Sequence, residues 1–215
     1  MDDREHPDSD RGFSLMALRA SRPHCEPDGS LCAGAFRAVR KVLALLRSPG
    51  GQLSDTSVEL LVFVLATDRF AVRARRVREV VRAVTVAALP DAPPVVEGAI
   101  NYRGRIVPVI DTRRRVGWPS RPLDPSQHFI VADAGPRRVV LRVDQVVDLV
   151  AVAEDVIESA ARATPGARYT EGIARLPDGL IVIHDLERFL SLDEGQEVDA
   201  AVRAVGGASA TGGVR

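Results

Sequence analysis

The sequence predicts an all-β protein, a barrel or a sandwich, with few short helices. Short runs rich in Val, Ile and Leu follow one another from about residue 58 to about residue 190, and turn residues separate them. Of the 215 residues, 46% are hydrophobic, which is enough to fill a core. A chain of this length holds one large domain or two small barrels.

The first predicted element of the β-rich part is a hairpin. Glu59–Ala66 forms one strand, Thr67–Arg69 forms the turn, and Phe70–Ala74 forms the returning strand. A group of arginines interleaved with valines follows it. We interpret the group as the solvent-exposed side of elements whose other side is buried. Its members are Arg73, Arg75, Arg76, Arg78 and Arg82.

A second hairpin is predicted between Gly98 and Asp111. Apolar residues lead into a reversal at Arg103-Gly104, and the β-branched run 106–110 forms the other strand. Pro108 has no N–H to give to a ladder, which favours an edge strand or a bulge. The reversal places the charge of Arg103 on an exposed loop that a rigid scaffold supports.

The rest of the chain continues in short elements. Asp185 is expected to cap a short helix at Leu186–Leu190. The other predicted elements are a basic turn or short helix at Thr112–Val116, paired strands at Phe129–Ala132 and Val139–Val143, an apolar run at Val146–Val152, a helix at Glu154–Arg162, and strands at Gly172–Leu176 and Leu180–Ile183 that pair across Pro177-Asp178-Gly179.

Both ends of the chain differ in composition from the β-rich part at 58–193. The N-terminal extension, 1–57, is rich in Asp, Ser, Pro and Gly, and we expect it to be mostly disordered. Within it, apolar residues recur at helical spacing over 31–47, which predicts an amphipathic helix that either docks on the neighbouring domain or seeks a partner or membrane surface. We expect 194–215 to be a flexible tail.

Charge and motif content exclude several functional classes. The 29 basic and 29 acidic residues balance, so no overall field recruits nucleic acid. No apolar run approaches the ~20 residues of a membrane span and no secretory signal is visible, which predicts a cytoplasmic protein. The chain has no nucleophile elbow, Gly-rich phosphate loop or His-Glu-x-x-His pattern, so we expect neither catalysis nor a cofactor.

The cysteines leave one weak candidate for a metal site. His24, Cys25 and Cys32 lie close together in sequence, but a structural zinc site needs four ligands and no fourth is obvious. The alternative is a pair of unpaired surface cysteines.

The local patterns, taken in order, resemble the CheW-like domain of bacterial chemotaxis over about Val58 to Asp193. The most specific of them is Asn101-x-Arg103-Gly104-x-x-x-Pro108-Val109-x-Asp111. The others are Leu61-Val62-Phe63, Val77-Arg78-Glu79-Val80, Leu89-Pro90, Val139–Asp144, Gly172-Ile173-Ala174 and Leu180–Leu186. The resemblance implies two five-stranded SH3-like β-barrels that share a hydrophobic core.

The resemblance also implies a function. Members of this family are non-catalytic adaptors that couple chemoreceptors, the methyl-accepting chemotaxis proteins, to the CheA histidine kinase. One face binds the regulatory domain of the kinase, and a groove between the barrels binds the cytoplasmic tip of the receptor. Such a protein is cytoplasmic and is recruited to membrane-associated receptor arrays. The alternative is a CheW-like adaptor of a non-flagellar pathway that controls surface motility, development or second-messenger output.

By position, the resemblance assigns seven residues to the partner-binding groove. Glu79 and Arg103 match the acidic and arginine pair of the family, and a guanidinium held bidentately by a carboxylate is an oriented contact surface. The alternative role of this pair is only to pin the hairpin to its neighbour. Three apolar residues are expected to form the floor for a receptor helix, and two further residues match the second barrel near the same groove. These five are Val77, Val80, Ile100, Val143 and Asp144.

Three positions depart from the family pattern. They are Tyr102, Thr112 and His184. The edge of a core can accommodate Tyr102 and Thr112, and we interpret His184 as a core or edge histidine rather than a ligand.

Overall fold

The chain forms two β-sheets joined through one core. The computed structural model describes residues 57–160, 168–176 and 179–208. The strands are β1 (Ser57–Leu65), β2 (Asp68–Arg73), β3 (Val77–Arg82), β4 (Val96–Tyr102), β5 (Arg105–Asp111), β6 (His128–Ala134), β7 (Arg137–Val143), β8 (Gln145–Ala153), β9 (Ile157–Ser159), β10 (Thr170–Leu176) and β11 (Gly179–His184). Two α-helices, α1 (Thr112–Arg115) and α2 (Leu192–Ala208), and the 3-10 turns Ala74–Arg76, Glu154–Val156 and Leu186–Arg188 complete the described elements.

The first sheet has the strand order β8-β1-β2-β11-β10-β9. Its two outermost strands, β8 and β9, follow each other in the chain across the 3-10 turn Glu154–Val156, so the two ends of the sheet meet. The sheet is therefore a barrel of five strands, one of which is bent and interrupted. The helix predicted at Glu154–Arg162 is wrong at Ile157–Ser159, which pairs with β10, whereas Glu154–Val156 forms a 3-10 turn.

The second sheet has the order β3-β6-β7-β5-β4 and is inserted between β2 and β8 of the first. Its ends meet where Ala87 bridges Ala99 on β4. The Ala87 N–H donates to the Ala99 carbonyl at 2.9 Å, and the Ala99 N–H donates to the Ala87 carbonyl at 2.8 Å. Closure removes the exposed strand edges that would otherwise invite association. The prediction of an all-β fold with two barrels and few helices is confirmed.

The core explains why several strands read as continuous apolar runs. On β1, Leu60 and Val62 belong to the interior of the first barrel, whereas Leu61 and Phe63 belong to the core shared by both sheets. On β6, residues likewise alternate between the interior of the second barrel and the shared core. Strands buried on both faces lose the polar alternation of a surface strand.

Pro108 lies in an interior strand, so of the two expectations the edge strand is wrong, whereas the pairing of β4 with β5 does contain an irregularity, between Val96 and Gly98. β5 lies between β7 and β4. Pro108 opposes Ala99, whose N–H and C=O both bond to Ala87, so the backbone groups of Pro108 point away from β4. On the other side, the ladder with β7 begins only at Val109. Proline is tolerated here because no neighbour requires its missing N–H.

His184 is part of an aromatic cluster in the shared core. Its ring centroid lies 5.2 Å from those of both Phe70 and Phe189. Nδ1 lies 3.2 Å from the carbonyl oxygen of Tyr169, so the neutral tautomer protonated at Nδ1 makes this hydrogen bond. Burial lowers the pKa of His184 to about 4, and the ring is therefore neutral at physiological pH. The interpretation of a core histidine agrees with this placement.

The C-terminal segment corrects an expectation. Residues 194–208, which we expected to belong to a flexible tail, lie in helix α2. Val198 and Ala201 are buried in the shared core, and Val202 and Val205 pack against it. These four residues have the i, i+3, i+4, i+7 spacing of an amphipathic helix, a signal that the surrounding glycines obscured. Two ion pairs also hold the helix. Arg115 Nη2 lies 2.9 Å from Glu194 Oε1, and Arg137 Nη2 lies 2.9 Å from Asp199 Oδ2.

A capping box begins helix α2. The Glu194 N–H donates to Ser191 Oγ at 3.2 Å, and the Ser191 N–H donates to Glu194 Oε2 at 2.8 Å. We expect Ser191→Ala to lower the free energy of unfolding by about 1 kcal/mol, because one orphan N–H at the helix start loses its acceptor. Urea denaturation measures the change, and an unchanged midpoint and slope would contradict this role.

Two absences apply to the described ranges alone. In 57–160, 168–176 and 179–208, no helix is both long enough and apolar enough to cross a bilayer. The same ranges contain no group of three or more His, Cys, Asp or Glu residues arranged to hold a metal ion. The predicted helix at 31–47 and the candidate ligands His24, Cys25 and Cys32 lie outside the residues that the structure describes.

Candidate partner-binding surface

The central hairpin presents Arg103 at its tip in a constrained conformation. Arg103 and Gly104 form a two-residue turn between β4 and β5, with φ angles of 51° and 80°. Positive φ at both positions suits the right-handed twist of a tight hairpin but is unfavourable for arginine. Asn101 supports the turn, since its Oδ1 accepts the Gly104 N–H at 2.9 Å.

Glu79 on β3 holds the tip from the neighbouring strand. Its Oε2 accepts hydrogen bonds from the Tyr102 hydroxyl at 2.6 Å and from Arg103 Nη2 at 2.9 Å. Both bonds converge on one oxygen, so the bidentate pairing expected from the sequence is wrong. The Arg103 side chain remains 73% exposed, and its guanidinium carbon lies 5.2 Å from the Tyr102 ring centroid. The pair is oriented but open to solvent.

Tyr102 is a functional candidate that the sequence reasoning missed. We interpreted it as a departure accommodated by the core edge, whereas its hydroxyl shares the Glu79 acceptor with Arg103. Burial, together with the hydrogen bond to the Glu79 carboxylate, raises the pKa of Tyr102, so the hydroxyl stays protonated as a donor. The signal in the sequence was its position directly before the turn, where its side chain can reach a neighbouring strand.

The three expected floor residues lie beneath this surface rather than on it. Val77 and Val80 are 1% and 3% exposed and belong to the shared core. Ile100 is 8% exposed and packs inside the second barrel. They hold β3 and β4 in place, but in this conformation they offer almost no apolar area to a partner.

Val143 and Asp144 are separated from the Glu79–Arg103 pair. Val143 is the last residue of β7 and is buried in the shared core. Asp144 follows it and joins the barrels: Arg113 pairs with both of its carboxylate oxygens, and the Ala66 N–H donates to Oδ2 at 2.6 Å. Burial alone would raise the pKa of Asp144, but Arg113 and the Ala66 N–H lower it overall, so Asp144 stays ionised.

Asp144 lines a groove between the two barrels. The cavity is about 530 Å³ in volume and lies between the β1–β2 turn and β8 on one side and the segment 121–127 on the other. None of its lining residues belongs to the Glu79–Arg103 surface. The structure therefore divides the seven predicted residues into a hairpin surface, a buried support and an inter-barrel junction.

Comparison with known proteins places the chain in a family. A family model described as the CheW-like domain matches residues 59–194, which is more than half of the chain. The chain belongs to the CheW-like domain family. The resemblance predicted from the sequence is thereby confirmed, and the chain is a chemotaxis coupling adaptor of this family.

Individual relatives agree with the CheW-like assignment. The chain is 30% identical to a probable chemotaxis protein CheW from Rhizobium etli over 148 residues, which cover 67% of this chain and 94% of that protein. It is 28% identical to the chemotaxis protein CheW of Klebsiella aerogenes, over 68% of this chain and 89% of the other. The crystal structure of the scaffolding protein TtCheW from Thermoanaerobacter tengcongensis matches with a TM-score of 0.59 and 30% identity, covering 64% of this chain and 94% of that chain.

Proposed function

We propose that this CheW-like chain works without catalysis, binding the cytoplasmic tip of a chemoreceptor at its hairpin surface and the regulatory domain of a CheA-type histidine kinase elsewhere. The observation that carries the receptor contact is the exposed Arg103, oriented on a tight turn by Glu79 and Tyr102. Arginine and tyrosine are enriched among the residues that dominate binding energy at protein interfaces. Preorganisation of such a group lowers the entropic cost of binding.

The remaining parts of the proposal rest on family membership. The kinase contact uses barrel pairing with a homologous regulatory domain, and Asp144 and Val143 keep the two barrels of the adaptor in a fixed relation. The protein acts in the cytoplasm and is recruited to receptor arrays. The relatives reported above carry chemotaxis names, which favours this pathway over one that controls surface motility, development or second-messenger output.

Two substitutions test the receptor contact. We expect Arg103→Ala and Glu79→Ala to weaken binding to a receptor signalling-tip fragment about tenfold, because the first removes the oriented guanidinium and the second releases it. Binding to the kinase regulatory domain should stay within about twofold of wild type. Biolayer interferometry with the full chain and each immobilised partner measures both.

Arg175→Ala is the matched control, because Arg175 is 76% exposed on β10 of the other barrel and pairs only loosely with Glu158 at 3.4 Å. Equal receptor affinity for wild type, Arg103→Ala and Glu79→Ala would refute the hairpin as receptor surface. A wild-type chain that binds neither partner would refute the coupling function itself.

A further inference from the structure

We propose that a cleft beside the hairpin, lined by Arg78, Arg103, Arg105 and Arg138, binds the carboxylates of an acidic helical segment of the receptor. The cavity is about 300 Å³ in volume, and Tyr102 is its fifth lining residue. This arginine cleft extends the hairpin surface, so the inference rests on the proposed function and names the chemistry of the partner.

The topology of the second barrel brings together the arginines of the cleft from distant parts of the chain. Arg78 lies near the start of β3, Arg138 near the start of β7, and Arg105 at the start of β5. β3 and β7 both run antiparallel to β6, and β5 runs parallel to β7. The three strands therefore begin at the same end of the barrel, and that end carries the arginines.

The charges in the cleft do not balance. Asp133 at the end of β6 accepts from Arg78 Nε at 2.6 Å and from Arg138 Nε at 3.0 Å, and Glu79 accepts from Arg103. Arg105 is exposed, and no carboxylate of the described ranges lies within ion-pair distance of it. Four guanidinium groups thus face two carboxylates that are already engaged. The excess is local, since the whole chain carries equal numbers of basic and acidic residues.

The geometry favours carboxylates of a protein over nucleic acid. Arg78 and Arg103 keep more than half of their side-chain surface exposed, so N–H donors remain for bidentate pairing with a carboxylate. Tyr102 is the one aromatic ring that lines the cavity, and the Arg103 guanidinium lies over it, which leaves no stacking platform for bases. Two acidic residues three or four positions apart on a helix lie on one face and match a cleft of this size.

Charge reversal in the full chain tests this inference. We expect Arg105→Glu and Arg138→Glu to weaken binding to the receptor signalling-tip fragment about tenfold or more at low salt, because the acidic segment then meets like charge. The dependence of affinity on salt should flatten, whereas Arg105→Lys should stay within about threefold of wild type. A fragment whose acidic residues are replaced by lysine should bind Arg105→Glu better than it binds wild type.

The controls separate this inference from the function it rests on. Arg175→Glu places the same reversal on the other barrel and should leave receptor affinity unchanged. If Arg105→Glu and Arg138→Glu bind the fragment like wild type while Arg103→Ala does not, the receptor surface stands and the cleft is refuted. If wild type binds no receptor fragment, the proposed receptor contact and the arginine cleft are both refuted. The assignment would also be overturned if a single-stranded oligonucleotide bound the chain more tightly than the receptor fragment does and displaced that fragment.

Discussion

Replacing Arg142 by alanine is expected to lower the free energy of unfolding by about 3–5 kcal/mol, the cost of removing one partner from a buried ion pair. The Arg142 side chain is 2% exposed. It donates from Nη1 to Glu97 Oε1 at 2.7 Å, from Nη2 to Asp111 Oδ2 at 3.1 Å, and from Nη2 to the Arg121 carbonyl at 2.9 Å. Without it, the two carboxylates lie close together and keep only the more exposed Arg114, whose Nε lies 3.7 Å from Asp111 Oδ2, as a neighbouring cation.

Asp111 makes the loss more severe because its carboxylate has a second role. Its Oδ1 accepts the Arg113 N–H at 3.0 Å and so caps helix α1, while its Oδ2 accepts from Arg142 and from the Ser120 hydroxyl. Asp111 directly opposes Arg142 in the parallel pairing of β5 with β7. The substitution therefore disturbs the strand pairing, the helix cap and the segment around Ser120 together.

The deficit of Arg142→Ala should increase with pH. Burial raises the pKa of Glu97, Arg142 lowers it, and Asp111 raises it. Removing Arg142 raises the folded-state pKa of Glu97 further above its unfolded value. A carboxyl with a raised folded pKa stabilises the fold at low pH and loses that contribution as the pH rises through the folded pKa. The variant should therefore be closer to wild type at about pH 5 than at about pH 8.

Urea denaturation of wild type, Arg142→Ala and Arg175→Ala at both pH values measures these effects. Arg175→Ala, at an exposed site of the first barrel, should stay within about 0.5 kcal/mol of wild type. An Arg142→Ala variant as stable as Arg175→Ala would show that the network contributes nothing net. A deficit that shrinks with rising pH would contradict the role given to Glu97.

The second large effect is expected for Gly98→Ala. A Cβ at this position would lie 2.2 Å from the Ala87 carbonyl oxygen and 2.7 Å from Val86 Cγ1. The Ala87 carbonyl oxygen accepts the Ala99 N–H in the bridge that closes the second barrel. Backbone cannot rotate away as a flexible side chain can, so the substitution should open this closure. We expect a loss of about 3 kcal/mol or more in the free energy of unfolding, the upper end for overpacking.

Hydrogen exchange locates the effect. The Ala87 and Ala99 amides should exchange markedly faster in Gly98→Ala than in wild type, while amides of the first barrel change less. Gly135→Ala is the matched control, because a Cβ there meets nothing within 4 Å and its cost is confined to a turn with a φ of 61°. A loss for Gly98→Ala no larger than that for Gly135→Ala, with unchanged exchange at Ala87, would refute the close-approach argument.

The sequence predicted strands best where both faces are buried. The hairpins around residues 67 and 103 and the pair at 134–137 were placed within a few residues, because each combines β-branched runs with a turn signal. Prediction failed in two places: glycines masked the helical spacing of Val198 to Val205, and in place of the helix predicted from Glu154 a 3-10 turn leads into the strand Ile157–Ser159. Tertiary packing decides the secondary structure of both segments, and a short stretch of sequence carries no information about that packing.

The partner-binding residues show the same division. Family resemblance identified Glu79 and Arg103, and the structure brings them to 2.9 Å. The family resemblance did not predict that Tyr102 and Arg103 donate to the same Glu79 oxygen, because that depends on where β3 and β4 meet around the barrel. Nor did it predict that Asp144 pairs with Arg113 and with the Ala66 amide, which lies 78 residues away in the chain.

The sequence alone determined the fold class, the family and the central hairpin with Arg103 at its tip, since apolar periodicity, turn chemistry and a specific motif are local properties. Only the tertiary structure decided which charges meet. Arg142 between two carboxylates, Asp144 between two barrels, and the arginine cleft each join residues that are far apart in the chain. Strand order and barrel closure determine those contacts, and neither can be predicted from the spacing of residues along a single segment.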